Sequence, residues 1–187
     1  LAEFEEVEVK SRAELRDWLA AHHAKAGTAW LVYFKKHTDH YLSVDDIVSE
    51  LLCWGWVDSV TRGVDADRTS IRISPRNPKS AWSAVNKRKI AENRALGLMQ
   101  PAGERMVKIA EDNGMWVFLD DVERLEVPDD LAAVLGALRA VWDDYPRNVK
   151  RGTLEWIKTA KRVDTRAKRI ASVVEDAAQG LRPRNMR

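Results

Sequence analysis

A single cysteine, Cys53, excludes an internal disulfide and any metal centre built from several thiolates. Flanked by Leu52 and Trp54 and without an evident histidine partner, it reads as a buried, inert thiol rather than a nucleophile. Long apolar runs are also missing. Stretches such as Ala29–Phe34 fall far short of the roughly 20 residues a bilayer-spanning helix needs. There is no glycine-rich phosphate loop and no G-x-S-x-G elbow, so the local marks of a nucleotide cradle and of a serine hydrolase are both lacking. The four histidines do not form a ligand set. His22 and His23 are adjacent and diverge on a helix, and His37 and His40 fall in a turn. The opening "LAEFEEVEVKS" is acidic and alternating, unlike a basic, apolar secretion signal. The expectation is a cytoplasmic protein with no cofactor and no metal, active as a monomer or homodimer.

What is present suffices for a globular core: 187 residues, 45% of them hydrophobic and 32% charged, the size of one large domain or a domain with an added lobe. The net charge of +2 conceals a split. From Arg147 onward twelve Lys/Arg face four Asp/Glu, a balance of +8, and the preceding residues carry −6. A basic tail lobe of this kind either meets an anion or docks on acidic surface.

Periodicity supplies the elements. "FEEVEV" alternates apolar and acidic residues, so Phe4, Val7 and Val9 read as a short half-buried strand. Ser11 with Glu14 three residues on, and Ser43 with Asp46, are helix-start signals. "TAWLVYFKK" suits a strand covered on both sides, and Gly55 should end the second helix. "WVDSV" and "TSIRISPR" read as two strands, the latter stopped by Pro75 and Pro78. Helices follow. Ser80 is the expected cap of "AWSAVNKRKIAENRALGL", and Pro101 opens the next helix, which Gly114 ends. Pro128 opens "PDDLAAVLGALRAVWDDY", with Leu131, Leu135, Leu138 and Trp142 in register. Two basic helices close the chain. The fold class is α+β: a small antiparallel sheet with helices packed on it, followed by a helical C-terminal lobe.

The stretch from Thr28 to Lys89, "TAWLVYFKKHTDHYLSVDDIVSELLCWGWVDSVTRGVDADRTSIRISPRNPKSAWSAVNKRK", resembles the signature of the YdeI/OmpD-associated family, also labelled bacteriocin-protection proteins. So does "LEWIKTAKRVDTRAKRIASVVE", although Val163 and Asp164 stand where Pro and Glu are usual and "WDDYPRNVKRGT" departs from the commoner entry. The resemblance implies an α+β domain over residues 1–126 and a helical, basic lobe over 127–187. It also implies a link to envelope stress and to resistance against bacteriocins or antimicrobial peptides. It brings no catalytic residue.

A candidate site comes from the residues themselves. Trp56 and Asp58 should share one strand face, while Arg72 and Ser74 lie opposite Ile71 and Ile73 on the next strand. With Trp54, Arg76 and Lys79 at the strand ends, and Trp82 and Asn86 on one face of the following helix, they outline an aromatic floor with convergent guanidinium groups. Such a floor suits a small anionic or aromatic ligand. The structural reading competes: an aspartate among arginines also braces a turn, and tryptophans also fill cores. Two other functions compete as well. One is a nucleic-acid or protein-interaction module using Lys150, Arg151, Lys158, Lys161, Arg162, Arg166, Lys168 and Arg169. The other is an enzyme with Asp58 as acid or base.

Overall fold

Residues 4–187 are described by a computed structural model. They divide into two compact units, one ending at Phe118 and one running Leu119–Arg187, so the expected boundary after residue 126 falls inside the second. No helix among the described residues is long and apolar enough to cross a membrane.

The first unit is α+β. A four-stranded sheet is built from β1 (Glu5–Glu8), β2 (Ala29–Phe34), β3 (Trp56–Gly63) and β4 (Arg68–Pro75), in the order β1-β2-β4-β3. It is mixed rather than purely antiparallel: β1 pairs with β2 in parallel, with Val7 opposite Leu31. The helix α1 (Arg12–His22) lies between these strands in sequence, and a crossover of that length is what permits a parallel pair. The β4 strand pairs antiparallel with both β2 and β3.

Strand parity sorts the sheet faces. Val7, Leu31, Ile71 and Ile73 turn to one side and form the core with α1 and α2 (Val44–Cys53), including Leu15, Leu19, Ile47 and Leu51. Burying each such side chain is worth roughly 1.5–3 kcal/mol. The other face carries a ladder of charges. Arg62 covers the Trp30 ring and pairs with Glu6, and Arg68 pairs with Glu8 and Asp65. Those stems shield Val32 and Ser70, which are buried on that face.

Both helix starts behave as their sequences indicate. Ser11 Oγ accepts from the Glu14 amide and Ser43 Oγ from the Asp46 amide. Glu14 reaches back to the Lys10 amide, one residue before the cap. Gly55, at φ +74°, ends α2 in the left-handed region. The next helix differs. Ser83, not Ser80, caps α3 (Ala84–Ala95), because Ser80 closes a turn on Asn77 and Trp82 stays outside the helix, its amide bonded to Met115 O. Pro101 does open α4 (Pro101–Asp112), and Gly114 follows it at φ +79°.

The second unit is helical. The expected long helix after Pro128 is broken at Gly136, φ +47°, into α6 (Asp129–Leu135), a 3-10 turn and α7 (Arg139–Asp144). A short α5 (Asp120–Glu123) precedes it. The two basic helices are α8 (Arg147–Lys158) and α9 (Val163–Ala178). Ile157, Ile170 and Val173 are buried, with Leu131, Leu135 and Trp142.

Candidate functional site

The tryptophan turn does border an opening. In the first unit a cleft of about 220 Å³ lies where four segments meet. The α2–β3 turn contributes Trp54, Gly55 and Trp56, and the end of β4 contributes Pro75 and Arg76. The end of α1 supplies His23, and α4 supplies Arg105, Met106 and Ile109. These segments are held in place by backbone bonds. The Arg76 amide donates to Gly55 O, and the Gln100 amide donates to Cys53 O, one of the carbonyls left open where α2 ends. Close approach of α4 is possible because residue 103 is glycine: a Cβ there would sit 2.3 Å from Cys53 O.

Each tryptophan in this wall has its one donor committed. Trp54 Nε1 donates to Glu50 Oε1 at 3.0 Å, and Trp56 Nε1 donates to His23 O at 3.4 Å. Glu50 is fully buried and is clasped as well by Arg12 and Arg16. Trp56 is 1% exposed and packs edge-on to Trp18. What the two indoles present is apolar surface.

Arg76 is the reverse. It is 6% exposed, and its guanidinium lies over the Trp82 ring at 3.8 Å. One nitrogen, Nη2, donates to Ala81 O at 2.6 Å. No carboxylate among the described residues pairs with it, and its buried Nε finds no acceptor. Burial pulls its pKa down to about 10. Buried charges in proteins are nearly always paired, so a guanidinium left open beside a cleft is the unusual feature here.

The eight residues expected to converge do so only in part. Trp54, Trp56 and Arg76 line the cleft. Trp82 supports Arg76 from behind, within a separate apolar cluster that includes Ile90 and Val107. Arg72 is excluded by parity. Asp58 stands opposite Ile73, so Arg72, one residue away, lies on the far side of the sheet from Trp56 and Asp58, bonded to Ser59 Oγ. Asp58 lies outside the cleft, near Tyr33. The Tyr33 phenol is raised by burial first, then by Tyr41 and Asp58. Lys79 is exposed in the Asn77–Ser80 turn. Asn86 shares no helix face with Trp82, which precedes the helix, and serves in the Ser83 cap. Sequence reasoning missed His23, Arg105 and Met106. The signal that pointed to α4 was its interior glycine, Gly103, a residue that in a helix marks close approach of another backbone.

Residues 7–106, 100 of 187, match the family described as Domain of unknown function (DUF8412). The chain belongs to that family. Residues 124–180 match a second family, Bacteriocin-protection, YdeI or OmpD-Associated, which bears out the expected resemblance over the C-terminal motif. The Thr28–Lys89 stretch falls under the DUF8412 match instead, and so does nearly all of the cleft, Ile109 excepted. No curated protein and no solved structure matches the chain.

The basic residues of the YdeI/OmpD-associated segment are largely engaged. Arg151 pairs with Glu123 and Glu155, Lys158 with Asp121, Arg162 with Asp164, and Arg166 in bidentate fashion with Asp130. Lys150 donates to Asp143 O, and Arg169 covers the Trp156 ring. Lys161, Arg162 and Lys168 are the exposed members of the set. Two hollows of about 480 and 520 Å³ in this segment exceed the DUF8412 cleft in size. Their cations Lys158 and Arg166 are already neutralised, so they offer an anion less than Arg76 does.

Proposed function

We propose that this DUF8412 protein binds a small anionic ligand in the cleft between the tryptophan turn and α4, with Arg76 as the principal anchor and Arg105 at the rim. The observation that carries the reading is the buried guanidinium with no counter-charge and no acceptor at Nε. A bound anion would supply the missing counter-charge, and charge-assisted bonds of this type are worth about 1.5–3 kcal/mol each. Arg105 pairs with no acid among the described residues and stands exposed on the same cleft. The name of the second family supports adding a link to bacteriocin protection, with the ligand as the effector or cargo. The same reading assigns the protein to the cytoplasm, where a lone thiol such as Cys53 stays reduced.

The test is calorimetric titration of the protein with acetate, benzoate, inorganic phosphate and AMP, repeated on Arg76→Met. At least one of these anions should bind the parent protein 10- to 100-fold more tightly than the variant. Equal affinities for every anion in both proteins would end the proposal.

A further inference from the structure

Resting on that reading, the lining of the cleft also specifies the chemical class of the ligand. We infer that it is a compact, mostly apolar monocarboxylate of one ring or the equivalent, with its carboxylate on Arg76 and its body against Trp54 and Met106, above the buried Trp56.

Size sets the first limit. An apolar cavity of about 150 Å³ holds one benzene. A volume of about 220 Å³ therefore takes a ring with a carboxylate attached. It lies below the roughly 300 Å³ at which pockets begin to take nucleotide- or drug-sized molecules.

Polarity sets the second. No Ser, Thr, Asn, Gln, Asp or Glu lines the cleft. Both indole N–H groups are spent on Glu50 and on His23 O. The Nδ1 of His23 is spent too, on Leu19 O. A sugar or a polyol entering here would meet only the two arginines and His23 Nε2, too few partners for its several hydroxyls, and buried unmatched hydroxyls are strongly rejected. The body of the ligand is hydrocarbon.

Charge sets the third. The lining carries two arginines and no acid, so the polar end of the ligand is an anion. Arg76 is the buried one of the two, and a planar guanidinium matches a planar carboxylate. A phosphate dianion would bring a second charge into an apolar cleft where only the exposed Arg105 remains to meet it. Aromatic bodies should be favoured over saturated ones, because indole faces and the Met106 thioether make specific contacts with rings.

Quenching of tryptophan emission, with calorimetry as a second readout, tests this on the full chain with four probes: benzoate, cyclohexanecarboxylate, inorganic phosphate and AMP. Benzoate should bind at least tenfold more tightly than phosphate or AMP and severalfold more tightly than cyclohexanecarboxylate. Its binding should fall at least tenfold in Arg76→Met and stay unchanged in Arg72→Ala, across the sheet. Should Arg76→Met fail to fold, Ile109→Trp at the rim fills the cleft, and benzoate binding should be lost there. Tighter binding of phosphate or AMP than of benzoate, still dependent on Arg76, would overturn the monocarboxylate inference and leave the anion site standing. Benzoate binding untouched by both Arg76→Met and Ile109→Trp, or no binding of any probe, would overturn both.

Discussion

The same substitution at two helical glycines should have opposite consequences. Gly103 lies in α4 and Gly152 in α8. Glycine in a helix interior ordinarily costs about 0.5–1 kcal/mol relative to alanine, so either change would stabilise if space allowed. At Gly152 the new Cβ meets only the side chain of Met186, with Sδ at 2.5 Å, and a thioether at the end of a flexible chain can swing aside. At Gly103 it meets backbone, with Cys53 O at 2.3 Å, Cys53 C at 2.7 Å and Leu52 O at 2.8 Å. Restoring van der Waals contact needs α4 to move by about 1 Å, and overpacking of that kind costs about 1–3 kcal/mol. Gly103→Ala should therefore lose about 1–2 kcal/mol net, and Gly152→Ala should lie between neutral and a gain of about 0.5 kcal/mol. Urea unfolding followed by tryptophan fluorescence and circular dichroism measures both. Because α4 carries Arg105 and Met106, Gly103→Ala should also weaken benzoate binding. A Gly103→Ala protein as stable as its parent would refute the claim that two backbones touch at this point.

Glu50→Ala should cost about 3 kcal/mol in the same assay, near the lower end for breaking a buried ion pair because Arg12 and Arg16 retain some access to water. It should also alter the emission of Trp54, whose indole N–H loses its acceptor; an unchanged stability would contradict the network. Asp176, 3% exposed, is pushed up by burial but held below the ordinary carboxylate range by Arg184 and then Arg187. A lowered folded pKa means that its stabilisation is present above the unfolded value of about 3.9 and is lost as pH falls through the folded one. The second unit should thus keep its helicity at neutral pH and lose it only below about pH 4. Asp176→Asn should be less stable at neutral pH with a shallower acid slope, and identical slopes by circular dichroism would count against the assignment.

Local chemistry made much of the first unit legible. Ser11, Ser43 and Gly55 set helix limits through bonds and backbone angles that span four residues or fewer, and alternation on β4 correctly separated Ile71 and Ile73 from Arg72. The errors arose where a distant partner decided. Ser80 and Ser83 are equivalent as caps until Met115 claims the Trp82 amide, which keeps that residue out of the helix. The parallel pairing of β1 follows from the route of α1, which periodicity does not encode. The site suffered most. Its tryptophans and Arg76 lie in the segment that drew attention, but the α4 wall comes from some thirty residues further along, and only docking brings it near. Arg72 was misassigned although its parity was read correctly, because proximity in sequence was allowed to outweigh the face on which it lies.

The fold and the cleft share a cause. A helix that ends at a left-handed glycine exposes its last carbonyls, and in α2 those carbonyls seat α4 through Gln100 and the bare backbone of Gly103. That contact closes one wall of the cleft. The same turn reverses the chain into β3, and pairing of Gly55 with Arg76 fixes where β4 delivers its arginine. Glu50 and His23 then remove the hydrogen-bonding capacity of the two indoles, and Trp82 holds the guanidinium flat without neutralising it. An arginine needed only for stability would be better served by a carboxylate. The combination leaves an apolar hollow with one desolvated positive charge, and the molecule whose shape and charge complement it is an apolar acid.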